Sequence, residues 1–153
     1  MADINYQKKW GPDVMSQPVP LAASVAFKYL GGKWMTKNGD GNYALTNNGE
    51  IPDGWANVGE FTSNATAAID FVPLNISHDA VYEMPVDEAI TATTAKALMF
   101  KTCDIVVNNG IQQADIGASA DDVIQIVGFD VDAQTVYVRW AERLGITAYI
   151  GVA

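Results

Sequence analysis

The sequence has few of the residues from which catalytic and metal sites are commonly built. It contains one cysteine, Cys103, and one histidine, His78. A single cysteine excludes an intrachain disulfide, and a zinc site ordinarily needs several histidine or cysteine ligands. These scarcities favour a chain that binds no metal and uses no cofactor.

Long apolar runs and basic residues are also scarce. No apolar stretch reaches the ~18 residues of a membrane-spanning helix, and residues 1–10 lack the apolar segment of a secretory signal. The formal net charge is −9. Residues 44–153 carry a net charge of −11, whereas residues 1–43 carry +2. Because an acidic body repels phosphate, we expect neither nucleic acid nor a membrane as a partner.

The apolar fraction, in contrast, is high. Hydrophobic residues make up 49% of the 153 residues, enough for the core of one domain. Pro12, Pro18 and Pro20 favour extended backbone near the N-terminus, where no core-forming period is present. We therefore predict an extended N-terminal arm over residues 1–20 and a single β-rich domain over residues 21–153.

Beyond the arm, short strand patterns alternate with turn residues. Gly31-Gly32 separates Val25–Leu30 from Lys33–Thr36 and predicts a hairpin turn, with a short helix over Leu21–Leu30 as the alternative. Further turns are predicted at Asn38–Asn42 and Asn47–Gly49, and further strands at Trp55–Thr62, Ala67–Leu74 and Val81–Val86.

The last third shows the clearest strand patterns, because β-branched runs flank compact turn sequences. It predicts two hairpins and a final strand: Cys103–Val107 with Ile111–Ile116, Val123–Phe129 with Thr135–Trp140, and Ile146–Val152. Asp87–Ala97 is the best helix candidate, with Asp87 as its cap, although its threonines favour extended backbone.

Together these patterns predict a mainly β protein. The expected architecture is a small β-barrel or sandwich of short antiparallel strands, with at most one or two short helices and the extended N-terminal arm. No group of nucleophile, base and orienting residue is evident, since His78 and Cys103 are single and Gly117–Asp121 lacks the second glycine of a nucleophile elbow. We therefore predict that the chain is not an enzyme.

The first third carries the candidate partner-binding residues. An exposed aromatic set can fill pockets on a partner or stack on sugars, and nearby lysines can add charge pairs. Core packing is the alternative, especially for Trp34 and Trp55. The candidates are Lys8, Lys9, Trp10, Trp34, Tyr43 and Trp55, with Trp10 as the expected anchor of the arm.

Several of these motifs resemble those of small head decoration (cement) proteins of tailed bacteriophages. Gly41–Leu45 and Gly54–Ala56 are similar to the opening of such proteins. The C-terminal likeness lies in Phe100–Ile105, Val107–Asp115, Val123–Gly128 and Val136–Arg139. The motifs are turns and β-branched strands, and together they span about two-thirds of the chain.

The resemblance implies a structural virion protein on the capsid exterior, made in the host cytoplasm. It implies binding to the outer surface of the major capsid protein lattice, stabilisation of the head, and self-association, often as a trimer. It implies no catalytic residue. The alternative is a carbohydrate-binding or adhesin module that uses Trp34, Tyr43 and Trp55, and a small hydrolase is a third hypothesis.

Overall fold

The structure is a computed structural model that describes residues 5–118 and 120–141. Strands predominate among these residues, and they contain one helix. In chain order the elements are β1 (Asn5–Tyr6), β2 (Lys8–Trp10), β3 (Val19–Pro20), β4 (Ala26–Phe27), β5 (Leu30–Lys37), β6 (Tyr43–Leu45), β7 (Gly54–Asn57), β8 (Phe61–Thr62), β9 (Phe71–Val72), β10 (Val81–Pro85), α1 (Ala92–Leu98), β11 (Thr102–Asn108), β12 (Ile111–Asp115), β13 (Ile124–Asp130) and β14 (Thr135–Trp140).

The prediction of a mainly β fold is confirmed. A six-stranded sheet has the order β12-β11-β13-β14-β10-β2, and a four-stranded sheet pairs β5 with β1, β6 and β7. Two small ribbons, β3-β9 and β4-β8, complete the pairing. The strands of residues 5–118 and 120–141 form no closed barrel, and the sheets agree with a sandwich of short strands.

The four-stranded sheet is buried on both faces. Successive residues of a strand point to opposite faces, and Trp34 and Met35 of β5 are both fully buried. Trp34 packs in the larger apolar core, which it shares with the six-stranded sheet, whereas Met35 packs in a smaller core. Trp55 and Ala56 of β7 divide between the two cores in the same way.

The hairpin predicted at Gly31-Gly32 is wrong, as is the alternative helix over Leu21–Leu30. Both glycines lie inside β5. A methyl group on Gly32 would come within 1.8 Å of the indole Nε1 of Trp55. Gly31 has φ +92°, and its missing Cβ leaves room for the backbone of Tyr6 in β1. The glycines thus allow close packing across the sheet rather than a turn.

Both C-terminal hairpins are confirmed. β11 and β12 pair from Asp104 with Asp115 to Asn108 with Ile111. Asn109 and Gly110 between these strands have φ of 52° and 76°, as a tight hairpin turn requires. The second hairpin, β13-β14, contains a register shift near Gly128. The predicted strand Ile146–Val152 lies outside the described residues.

The predicted helix exists, but its beginning differs. Thr91, and not Asp87, caps α1, because the Thr91 hydroxyl accepts from the Thr94 amide while the Thr94 hydroxyl accepts from the Thr91 amide. Asp87 instead accepts from the amide of Ile116 and ties the approach to α1 to the end of β12. No helix among residues 5–118 and 120–141 is long and apolar enough to cross a bilayer.

The middle of the chain is less regular than predicted. Trp55–Thr62 forms two short strands, β7 and β8, and Ala67–Leu74 contains only the two residues of β9. Val81–Val86 is confirmed as β10, which ends at Pro85. Asn38–Asn42 is a turn, in which the Asn38 side chain accepts from the amides of Asp40 and Asn42.

Candidate functional site

The tryptophans proposed as partner contacts divide between the core and the surface. Trp34 is fully buried, and its ring centroid lies 5.1 Å from Trp55, 5.0 Å from Tyr82 and 5.6 Å from Trp140. Trp55 stacks on Tyr82 at 4.3 Å. Trp34 and Trp55 are therefore core residues and not surface contacts, because the two sheets close over their rings.

A buried amide joins the two sheets beside this cluster. Gln112 of β12 accepts from the backbone amide of Trp34 at 2.8 Å and donates to the Trp34 and Thr46 carbonyls at 2.8 and 2.9 Å. Its side chain thus supplies the bonds that a further backbone segment would make at that position. Each of these polar groups would otherwise be buried without a partner, at a substantial cost in stability.

The described part of the arm lies along its own domain. β1 pairs with β5, β2 with β10, and β3 with β9. Between β2 and β3, Asn75 holds the chain in place. Its carbonyl oxygen accepts from the amide of Val14, and its amide nitrogen donates to Asp13. The arm is therefore extended, as predicted, and is paired over much of its length.

Residues 8–20 and 69–82 together form one antiparallel strip, which we call the surface ribbon. Its pairing runs from Trp10 opposite Val81, through Met15 opposite Asn75, to Pro20 opposite Phe71. Six of the eight large exposed apolar side chains of the described residues belong to it. These six are Trp10, Val14, Met15, Ile69, Phe71 and Ile76. Such a concentration of exposed apolar groups is typical of an interaction surface.

The two lysines of β2 are already engaged by carboxylates. Lys8 Nζ lies 2.6 Å from Oδ1 of Asp13, and Lys9 Nζ lies 3.6 Å from Oε1 of Glu83. Lys9 also lies 5.1 Å from the ring centroid of Tyr137. Trp10 is half exposed and meets the same ring edge-on at 5.8 Å. The structure thus groups Lys8, Lys9 and Trp10 on the surface ribbon, with little uncompensated positive charge.

Tyr43 lies apart from the surface ribbon. It sits at the start of β6, where its carbonyl accepts from the amide of Ala22. Its side chain is half-buried, and burial, aided by the charge of Asp53, raises the pKa of its hydroxyl. The four aromatic candidates therefore form no single surface: one lies on the surface ribbon, two lie in the core, and one lies on β6.

The single thiol has the properties of a structural cysteine. Cys103 is buried, and desolvation together with the nearby carboxylate of Asp104 raises its pKa to about 12. At neutral pH such a thiol stays protonated and is a poor nucleophile. Asp104 accepts from the amides of Ala120, Asp121 and Asp122, so it orders the loop before β13.

The other candidate catalytic residues do not converge. His78 is exposed and packs its ring 4.5 Å from that of Trp140. Ser119 lies outside the described residues. Asp130 accepts from the amide of Ala133 and shapes the β13-β14 turn. Over residues 5–118 and 120–141, no three metal-ligating side chains lie close enough to share an ion.

Two carboxyl groups do approach one another beside β12. Burial and the neighbouring charge of Asp87 raise the pKa of Asp115, with a further contribution from Asp104. The amide of Ile116 binds Asp87, so the pair lies at the junction of β12 with the segment before α1. These contacts fix a loop, and they leave the pair without a nucleophile or a histidine as a catalytic partner.

Two cavities open near Trp55. The smaller, of about 30 Å³, lies beside Lys33, whose ammonium group donates to the Tyr29 and Gly31 carbonyls. The larger, of about 300 Å³, lies between the surface ribbon and β7. By volume the first holds one or two waters, whereas the second is large enough for a small molecule.

Sequence reasoning found Trp10 but missed most of the surface ribbon. The missed residues are Val14, Met15, Ile69, Phe71 and Ile76. A partial signal exists at β9, where Val72 and Leu74 are buried while apolar residues also stand at the alternate positions expected to be polar. An apolar residue on both faces of an irregular strand indicates that one face meets a partner.

Comparisons with protein-family models, with curated proteins and with solved structures give no match to this chain. The likeness to phage decoration proteins therefore rests on the turn and strand motifs alone and stays a prediction. The surface ribbon is defined independently of that likeness, by burial and pairing in the fold.

Proposed function

We propose that this chain is a structural protein that binds the outer surface of a bacteriophage capsid and stabilises the shell. The observation that carries the proposal is the surface ribbon, which gathers six exposed apolar side chains. A protein surface that covers these side chains would remove them from water, at a gain of roughly 25 cal/mol for each Å² buried. The resemblance to head decoration proteins supplies the identity of that surface, the major capsid protein lattice.

Charge supports a protein partner over a nucleic acid. The chain carries a net charge of −9, and the two lysines of the surface ribbon are paired with Asp13 and Glu83. Phosphate binding needs uncompensated basic groups, which the ribbon does not offer. Apolar contacts with a polar rim are, by contrast, the ordinary composition of a protein interface.

Binding to purified shells assembled from the major capsid protein of the same phage tests the proposal. Trp10→Ala should weaken binding at least ~10-fold, because a tryptophan at an interface centre is commonly worth ~2 kcal/mol or more. Phe100→Ala is the matched control, since Phe100 is an equally exposed aromatic residue outside the surface ribbon. Equal binding of the two variants, or no binding by the unaltered protein, would contradict the proposal.

Self-association on the shell is the second part of the proposal. β2 is a terminal strand of the six-stranded sheet, and terminal strands leave backbone groups that a further chain can cover. The resemblance favours a closed trimer over other assemblies. A map of the decorated shell should show density for this chain in clusters of three, and isolated single copies would count against a trimer.

A further inference from the structure

The larger cavity contains a buried polar group whose bonding capacity is unused. Tyr82 is 1% exposed. Its hydroxyl faces Asp13 and Asn75, and both residues line the cavity. Within residues 5–118 and 120–141, this hydroxyl has no hydrogen-bond partner of ordinary geometry. A buried hydroxyl without a partner costs about 1–3 kcal/mol, so the group favours any cavity occupant that can bond to it.

Asn75 itself has little capacity left for the hydroxyl. Its carbonyl oxygen accepts from the amides of Val14 and Ser77, and its amide nitrogen donates to Asp13 and to the carbonyl of Pro12. These bonds hold the surface ribbon against the domain. The Tyr82 hydroxyl is therefore left to bond toward the cavity, where it can both donate and accept.

The other groups around the cavity define the chemistry of an occupant. Lys8 and Asp13 contribute opposite charges 2.6 Å apart, so they nearly cancel and favour a neutral molecule. Asn57 adds an exposed amide with donors and an acceptor. Trp55 adds an apolar wall. The volume of about 300 Å³ lies at the lower end of the range of small-molecule clefts.

We infer that this cavity binds a neutral polyhydroxylated molecule of the size of one sugar ring. Such a molecule offers hydroxyl groups to Tyr82 and Asn57 and C–H groups to the indole of Trp55. The inference is independent of capsid binding, because the cavity lies beneath the surface ribbon and not on its exposed face.

Saturation-transfer NMR and calorimetry with the full chain test the inference against a panel of neutral hexoses, pentoses and N-acetylhexosamines. At least one should show saturable binding, and Tyr82→Phe should weaken it at least ~10-fold because the phenol oxygen is then absent. Tyr43→Phe is the matched control, since Tyr43 lines neither cavity, and it should leave binding unchanged.

A second variant guards against misfolding. Asn57 is exposed, so Asn57→Ala should leave the melting temperature nearly unchanged and still weaken binding several-fold. Absence of saturable binding across the panel would overturn the inference and leave water as the occupant. Binding that neither variant reduces, or tighter binding of sugar phosphates than of neutral sugars, would overturn it too.

The same assay separates a free sugar from the end of a glycan. Equal binding of a free sugar and its methyl glycoside supports recognition of a glycan end, because the glycoside mimics the linked ring. Binding of the free sugar alone supports recognition of a free molecule. Both results keep the shared chemistry, and neither depends on whether the chain binds a capsid.

Discussion

The centre of the sandwich and the surface ribbon use tryptophan in opposite ways. Trp34 is 0% exposed and contacts three other aromatic rings, whereas Trp10 is 50% exposed and contacts the edge of one. The centre spends its apolar area on holding two sheets together. The ribbon keeps its apolar area accessible, although backbone pairing fixes the chain that carries it. Stability and recognition are thus assigned to different parts of one small fold.

The largest predicted difference between the two regions is in the cost of truncating their tryptophans. Trp34→Ala should lower the free energy of unfolding by about 4 kcal/mol, because it removes a fully buried ring and leaves a cavity. Trp10→Ala should lower it by about 1 kcal/mol or less, since half of the ring is already in water. Denaturant titration of both variants measures the difference. Similar losses would make the ribbon part of the core and break the comparison.

The polar bridge at the centre should rank next. Gln112→Leu leaves the buried amide of Trp34 without its acceptor, so we expect a loss of about 3 kcal/mol. Gln113→Leu is the matched control on the same strand, where the side chain is half-buried and bonds to Asn108. Its loss should stay below about 1 kcal/mol. Equal losses in urea denaturation would show that the bridge between the sheets is not specific to Gln112.

These differences also mark what the sequence could predict. The hairpins at Cys103–Ile116 and Val123–Trp140 were predictable because strand alternation and local turn residues agree. Gly31-Gly32 was misread because a glycine pair fits both a turn and a close approach. Only the indole of Trp55, distant in sequence, decides between them.

The candidate site was less accessible to sequence reasoning than the fold. Trp10, Trp34 and Trp55 are the same residue type in the same third of the chain, and composition alone does not separate a core ring from a surface ring. The surface ribbon arises from pairing between residues some 60 positions apart, such as Met15 and Asn75. That pairing decides which apolar side chains stay outside.

The smallest predicted effect concerns the one lysine buried at the centre. Burial lowers the pKa of Lys33 from 10.5 to about 8, against the opposing charge of Glu60. A lysine with a lowered pKa in the folded state binds its proton less tightly there than in the unfolded chain. The free energy of unfolding should therefore rise with pH between about 8 and 10.5, because the unfolded state holds more protons in that window.

Lys33→Met removes this titration and isolates its contribution. The stability of the unaltered protein relative to Lys33→Met should increase by about 1 kcal/mol from pH 8 to pH 10, a value reduced from full linkage because solvent partly screens the ammonium group. Lys37→Met is the matched control, since Lys37 is exposed at the end of the same strand. Urea denaturation at both pH values measures the change. A flat difference, or one that falls as pH rises, would mean that the centre holds the ammonium group charged and solvated, and that its burial is less complete than the aromatic packing around Trp34 implies.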